Sequence, residues 1–599
     1  MFVPAIFFAA LTAVAVPVRL FAEPTGCPAF DVELPRTTGG PVVKAADFGF
    51  SATTVDNGAA ITRALEHCRA VKASRLELAP GRYTCFSDRC GILMADLTDF
   101  TLDGKGARLV FRRPSDFRGQ TQAENIPDEA NLLVTNCLRT VVRDLVMDWD
   151  WEADPLADLG TVEATHVDAA PNASYFDLKF DCARHPWFGG RMPIQTMTPV
   201  NAARDRLTAT QPNRLLFGLS EGHYGTRMGW LGPNRVRVWP GVKEQGVNHA
   251  PHYESYYGEA VNRRTVSAMR TGTVYRVFHY YYGKNGLYLH SNRDFTARDV
   301  RIVSCRGMGV VADGNQRRWQ LVNVSVDPDR GADGKPLRPV SCTSDGIHNA
   351  RSCGLAKLIG CRVSYNNDDA LNFHDIFTIA ERRGPKTLEI VNGRGARYAR
   401  YSPGERIELR EDNYNPAGWR GTIASLSGNL IEVKGPDLPA PKGRVFLVFN
   451  RTYVSDGLLL KDCTFEDAHF RTLIQPSDVT IEGCTFRRCG GALEFLAAYT
   501  KTLWCEGNGC TNVVIRGNLF EDMRTLAPKS PWICSHISFP RKYEAGEDWH
   551  PEGTDPKFIG HFLVEGNRFV NAPEKPIDFA FGRDFIVRDN QTERDNQTE

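Results

Sequence analysis

Leu460-Lys461-Asp462-Cys463 and, 21 residues later, Ile481-Glu482-Gly483-Cys484 spell one pattern twice. An apolar residue, any residue, then Asp, Asn or Gly, then Cys, Asn, Val or Leu are usually followed two positions on by an aliphatic residue or Phe. Toward the amino terminus the same pattern reads Leu358-Ile359-Gly360-Cys361, Leu321-Val322-Asn323-Val324, Ala297-Arg298-Asp299-Val300 and Val142-Arg143-Asp144-Leu145. Toward the carboxyl terminus it reads Ile515-Arg516-Gly517-Asn518 and Val564-Glu565-Gly566-Asn567, so eight copies make a repeat. Where no loop intrudes, anchors lie 21 residues apart (Asp462 to Gly483) or 24 apart (Asp299 to Asn323), about one turn of a parallel β-helix.

A second strand follows each anchor by about ten residues: Gly309-Val310-Val311-Ala312, Asp345-Gly346-Ile347-His348, Asp369-Ala370-Leu371-Asn372, Gly491-Ala492-Leu493-Glu494 and, more loosely, Arg471-Thr472-Leu473-Ile474. Side chains alternate across a strand, so the third residue of each run (Val311, Ile347, Leu371, Leu473, Leu493) is expected in the core. The fourth then displays His348, Asn372 and Glu494 on one outer face.

The fold class expected is all-β: a right-handed parallel β-helix with two inserted small antiparallel β-barrels. The rhythm breaks at 152–274 and 376–452, where short strands alternate with Gly and Pro turns over stretches too long for loops in a compact domain. Those two stretches are assigned to the barrels. The helix then occupies 23–151, 275–375 and 453–585, with a disordered tail at 586–599 holding the tandem Arg588-Asp589-Asn590-Gln591-Thr592-Glu593 and Arg594-Asp595-Asn596-Gln597-Thr598-Glu599. The second insert begins just after His374-Asp375, where it would wall a site.

A chain of 599 residues exceeds one compact core and must divide or grow lengthwise. Its 72 Lys plus Arg balance 71 Asp plus Glu, so no basic field exists to hold nucleic acid, and a neutral glycan is the natural partner. A homodimer stays open. Residues 1–22 form an apolar stretch that resembles a secretory signal with no basic residue at its start. Pro17 and Arg19 interrupt it, leaving it short of a membrane span. The expected location is secreted or periplasmic, off the membrane once the signal is removed. Sixteen cysteines suit an oxidising compartment, and Cys85 with Cys90, Cys484 with Cys489 and Cys505 with Cys510 share a five-residue offset that could close small loops. Cys361, Cys463 and Cys484 instead share one register of the repeat and read as a buried stack of thiols. The C-x-x-C spacing of a structural zinc site is missing, so no metal or other cofactor is expected.

The chemistry concentrates in Ser344-Asp345-Gly346-Ile347-His348 and Asn366-Asn367-Asp368-Asp369-Ala370-Leu371-Asn372-Phe373-His374. Glycoside hydrolysis needs one protonated carboxyl for the leaving oxygen and one carboxylate for water or the sugar, and crowded acids raise one another's pKa. Neighbouring parallel strands lie about 4.8 Å apart, so Asp345 and Asp369 can sit side by side and share a water. Asp368 is read as the general acid, with Asp345 and Asp369 orienting the water. Asp also serves β-helix turns, so an isolated Asp-Asp reads as structural; His348, Asn372 and His374 beside three acids favour chemistry. Further along, Glu494, Trp504 and Glu506 are candidate sugar contacts, with Trp504 equally readable as packing. The run Phe278-His279-Tyr280-Tyr281-Tyr282 reads as packing between insert and helix.

With these residues in view, the chain resembles glycoside hydrolase family 110, secreted right-handed β-helix exo-α-galactosidases. The resemblance runs from about Ala45 to Asp584 and rests on Gly307-Met308-Gly309-Val310-Val311-Ala312, Thr343-Ser344-Asp345-Gly346-Ile347-His348, Asp368-Asp369-Ala370-Leu371-Asn372-Phe373-His374 and Trp504-Cys505-Glu506-Gly507. It implies catalytic roles for Asp345, Asp368 and Asp369, removal of terminal α-1,3-linked galactose with inversion, and no metal. Asp375 stands where the family tends to have Gly, and Phe373 replaces a smaller aliphatic residue. The rival readings are a β-helix polysaccharide lyase or polygalacturonase-like enzyme, and a non-catalytic glycan-binding β-helix. A lyase would need calcium or a Lys/Arg base, and 368–375 holds neither Lys nor Arg.

Overall fold

The computed structural model describes residues 21–593 apart from 38, 88–89, 114–129, 182–193, 211–214, 217–226, 233, 242–258, 392–399, 500–504 and 539–552. The signal at 1–22 therefore lies almost wholly outside the described residues, as do Trp504 and the second copy of the terminal tandem.

The repeat anchors explain themselves at the backbone. Asp144, Asp299, Asn323, Gly360, Asp462, Gly483, Gly517 and Gly566 all have φ between 52° and 64°. That left-handed conformation costs most residues a Cβ clash, and only Gly, Asn and Asp visit it readily. Each anchor is thus a corner of the coil, where one strand gives way to the next or, at Asp144 and Asp299, where one long strand bends. The strands they follow pair in parallel, for example Ala356–Ile359 with Leu458–Lys461 and then Val479–Glu482, with Leu358, Leu460 and Ile481 in one register. A second sheet stacks Cys90–Ala95, Ala130–Thr135, Asn285–His290, Val310–Asp313, Ile347–Ala350, Leu371–His374, Thr472–Ile474, Leu493–Tyr499, Ile533–Ser538 and Ile577–Phe579 in parallel order. The fold is a parallel β-helix.

Between the sheets the side chains run in columns. Phe465, Phe486, Phe520 and Phe569 stack face to face with centroids 5.2, 4.9 and 5.0 Å apart. Beside them Cys361, Cys463 and Cys484 form the expected buried thiol stack, with the Cys463 N–H donating to Cys484 Sγ at 3.4 Å. The column continues as a ladder of amides: Cys484 N–H to Asn518 Oδ1, Asn518 N–H to Asn567 Oδ1 and Asn567 N–H to Asn590 Oδ1, at 2.8, 3.0 and 2.9 Å. In each case the Asn side chain satisfies the corner amide of the preceding rung, as Cys484 Sγ does for Cys463, and the fourth position runs from Cys to Asn along the coil. Asn590 belongs to a final coil, with strands Arg583–Arg588 and Gln591–Glu593 paired onto the coil before it. This corrects the expected disordered tail: 586–593 is ordered by the same ladder and pairing as the rest.

Cys484 and Cys489 carry thiols, as do Cys85 and Cys510, so the three five-residue disulfide loops that the spacing left possible are not formed. The coil geometry decides this. Cys484 Sγ donates to Glu482 O of its own rung at 3.5 Å, and Cys489 Sγ to Phe465 O of the preceding rung at 3.4 Å.

The first insert is an antiparallel sheet of seven strands among the described residues, with strand Val274–Phe278 pairing Ala157–His166 on one side and Thr196–Val200 on the other. A helix, Glu259–Ala268, contributes Val266 to its core, and Met269 follows just beyond. Where a barrel was expected, the described strands form an open sheet, with Val266 of the helix packed into its apolar core. The second insert is a closed six-stranded barrel running from Phe377–Arg382 to Val445–Asn450. A helix at Asn57–Ala70, capped by the Asp56 carboxylate accepting from Gly58 N–H at 3.0 Å, packs on the first coils.

Strand register corrects one sequence reading. Ile347 pairs with Val310 and Leu371, and Leu371 with Thr472, while Val311 and Leu473 align with His348 and Asn372. Val311 and Leu473 thus face outward with His348, Asn372 and Glu494, and Val311 packs in a small cluster with Leu133, Tyr288 and Met308. Gly309 is the equivalent of Gly346, and Arg471 of Ala370, so each of those runs starts one position later in the coil than Asp345 and Asp369, which reverses which side chains face the core.

Candidate active site

Asp345 and Asp369 both lie in the turn before their strands, Ile347–Ala350 and Leu371–His374. Gly346 between them is forced: a Cβ there would come within 2.6 Å of the Ala370 carbonyl, so close coil packing fixes Asp345-Gly346. The amide of Asp369 donates to Asp345 Oδ1 at 3.2 Å. Asn366 Nδ2 donates to the carbonyls of both Asp368 and Asp369 at 2.8 Å, an Asx-type clamp that turns the two consecutive acids to one side. Carboxylate oxygens of Asp345, Asp368 and Asp369 consequently lie within 4.8 Å of one another despite their opposite strand parity. All three are nearly buried, with exposures of 2%, 9% and 4%. An all-oxygen trio of this kind is also a donor set suited to a hard cation.

Burial, the Asp368 charge and the Glu506 charge push the Asp345 carboxyl well above its usual range. Burial and the Asp368 and Asp345 charges do the same to Asp369, outweighing the Arg471 guanidinium. Arg471 Nε donates to Asp369 Oδ1 at 3.1 Å and its Nη1 to Glu494 Oε2 at 2.8 Å. Although burial works against its charge, Glu494 is held below the usual carboxylate value by Arg471 and His536.

The two histidines complete a line. His348 Nδ1 meets Asp345 Oδ2 at 2.6 Å, His348 Nε2 meets His374 Nε2 at 3.2 Å, and His374 Nδ1 faces Asp375 O at 3.4 Å. Burial lowers both imidazoles, His374 to about 4, so both are neutral at pH 7. Asn372 lies on the same outer row as His348, and its Oδ1 is a buried acceptor with no partner among the described residues, as is Ser344 Oγ. Glu506 is 9% exposed and joins the site through a bridge between its backbone and Ile376. The departures from the family pattern are structural. Asp375 accepts from Ser455 N–H and Oγ and from Asn508 Nδ2, tying the helix to the end of the barrel insert. Phe373 stacks on Trp319 in the core at 5.9 Å.

Two residues read as packing from sequence act here. Tyr281 and Tyr282 both donate their hydroxyls to Asp368 Oδ2, the Tyr282 bond at 3.1 Å. Burial and the Asp368 charge push the Tyr282 phenol well up, so it remains a donor. Tyr282 also has φ of 55°, a left-handed backbone that an aromatic residue adopts only under constraint. The first insert therefore delivers its connecting segment to Asp368. Arg471 escaped notice because its strand is one residue out of the register assumed for it. Asp313 is held by Arg400 and Arg351 below the usual value against its burial, and accepts from the Tyr288 hydroxyl at 3.0 Å.

No family model matches the chain. Alpha-1,3-galactosidase A of Peterkaempfera griseoplana is 21% identical over 587 residues, covering 92% of this chain and 71% of that protein. Among solved structures, the A-module of mannuronan C-5 epimerase AlgE4 from Azotobacter vinelandii aligns at a TM-score of 0.36 with 11% identity, over 92% of this chain and 96% of its own. The family 28 exopolygalacturonase of Yersinia enterocolitica aligns at 0.33 with 12% identity, over 93% and 76%. The likeness to the galactosidase along nearly the whole chain, on a helix whose rungs bring Asp345, Asp368 and Asp369 together, makes this a glycoside hydrolase family 110-like parallel β-helix protein.

Proposed function

We propose that the chain is an exported, exo-acting glycoside hydrolase that removes terminal α-linked galactose, α-1,3-linked in the first instance, using its three clustered aspartates. The observation that carries this is the trio itself: two carboxyls driven to hold a proton beside a third that accepts two phenolic hydrogen bonds. That pattern favours a split of roles different from the one read off the sequence. Asp345 or Asp369 is the proton donor to the leaving glycosidic oxygen, and Asp368 takes the proton from water. Asn372 Oδ1 and Ser344 Oγ offer polar atoms for sugar hydroxyls. The likeness to alpha-1,3-galactosidase A supports galactose over other sugars.

Inversion is the expected outcome from the family resemblance. Oxygens within 4.8 Å of one another are closer than the separation of about 6.5–9.5 Å usual for inverting pairs, which favours a second reading, retention through a glycosyl-enzyme. Nitrophenyl α- and β-glycosides and galactose-capped oligosaccharides, followed by proton NMR of the first-formed anomer, test both. β-Galactose as first product supports inversion, α-galactose retention. Unsaturated ends absorbing in the ultraviolet, or sugar binding without turnover, would replace the hydrolase reading with the lyase or the binding module.

A further inference from the structure

We propose that Glu494, Cys534 and His536 form a binding site for a borderline-soft divalent cation of the Zn2+ class, beside the aspartate trio and separate from it. A carboxylate oxygen, a thiol sulfur and an imidazole nitrogen from these residues lie within 4.8 Å of one another. Their placement follows from strand geometry. Glu494 on Leu493–Tyr499 pairs directly with Cys534 on Ile533–Ser538 in parallel register. His536, two residues beyond Cys534, projects to the same face. Glu494 is nearly buried and Cys534 and His536 are partly so, with side-chain exposures of 12% for Glu494 and 19% for His536.

Glu494 is already oriented as a ligand. Arg471 occupies Oε2 at 2.8 Å, while Oε1 turns toward His536 Nε2 at 3.3 Å. An outer partner that fixes the free oxygen of a carboxylate is what ligating carboxylates generally have. A set of one oxygen, one nitrogen and one sulfur donor suits Zn2+, whereas Ca2+ and Mg2+ take oxygen sets. A thiol ligates as thiolate, so binding through Cys534 releases a proton to solvent and strengthens as pH rises. Because Arg471 joins Glu494 to Asp369, occupancy is felt at the trio. The ligands are 40 residues apart in sequence, Glu494 to Cys534, which is why spacing rules for zinc give no hint of them.

The test uses metal-stripped full-length protein with Zn2+ by calorimetry and Co2+ by absorption, in the wild type, Cys534→Ser and His536→Ala. The expected result is one Zn2+ per chain, weakened more than about tenfold in each variant, and a sulfur-to-cobalt charge-transfer band that vanishes in Cys534→Ser. Stoichiometric binding unchanged in both variants, no binding by the wild type, or a cobalt spectrum without sulfur would overturn the proposal. None of these readouts depends on glycosidase activity.

Discussion

His348 Nδ1 lies 2.6 Å from Asp345 Oδ2, and that single contact sets the protons of the site. His348 and His374 are neutral and face each other through Nε2, so one of those nitrogens carries the hydrogen. If His348 Nε2 donates to His374, then His374 Nδ1–H donates to the Asp375 carbonyl and His348 Nδ1 must accept. The group able to donate to it is a protonated Asp345, the form that burial and the Asp368 charge favour. Every hydrogen bond in the line is then complementary.

Replacing His348 with Phe removes the acceptor of the Asp345 proton and so lowers the raised Asp345 value. Activity that depends on protonated Asp345 is lost as pH rises through that value, so the basic limb of kcat/KM moves to lower pH in His348→Phe, with kcat down by about a hundredfold. A pH–rate series on an activated α-galactoside checks this; an unmoved basic limb assigns His348 to packing alone.

Asp345→Asn, Asp368→Asn and Asp369→Asn should each cut galactose release by roughly a thousandfold or more while leaving the melting temperature near that of the wild type. Turnover surviving in all three variants removes the trio from the chemistry.

Tyr281→Phe and Tyr282→Phe each delete one donor to Asp368 Oδ2 without altering shape. We predict that kcat falls about tenfold or more with KM little changed, since a charge-assisted hydrogen bond contributes about 1.5–3 kcal/mol. Steady-state kinetics decide it, and a change confined to KM would make the tyrosines a wall for substrate.

His374 is held at about 4 against an ordinary 6.5, because its burial disfavours charge. A histidine depressed in the folded state adds stability that is present above the unfolded value and lost as pH falls from about 6.5 to about 4, at most about 3 kcal/mol. Urea midpoints measured from pH 7 to pH 4 should therefore fall less in His374→Gln than in the wild type. An identical pH dependence shows that His374 does not gate acid unfolding.

Phe486 sits between Phe465 and Phe520 in the ring column with none of its surface exposed. Phe486→Ala should cost about 3–5 kcal/mol, read as a lower denaturation midpoint, because rings held on neighbouring rungs cannot collapse into the gap. A loss under about 1 kcal/mol would mean that the column relaxes freely.

The rungs were legible because their constraint is local. A left-handed corner admits Gly, Asn or Asp, so Asp462, Gly483 and Gly517 announce themselves in any copy of the repeat. The Cys-to-Asn column was equally readable, since each member sits one residue past its anchor. Register was less so: Val311 and Leu473 sit one position out of step with Ile347 and Leu371, and a one-residue offset reverses parity while leaving no mark in composition.

By itself the sequence determined the coil, the positions of its corners and the run of acids that opens two successive rungs, because these depend on residues within one turn of one another. Tertiary structure alone decided what surrounds the acids. Tyr281 and Tyr282 reach Asp368 across 86 residues or more, Arg471 reaches Asp369 across 102, and Cys534 meets Glu494 only because two parallel strands fall into register. Contacts of that span are set by how the inserts and rungs stack, a property of packing and loop closure rather than of any local pattern.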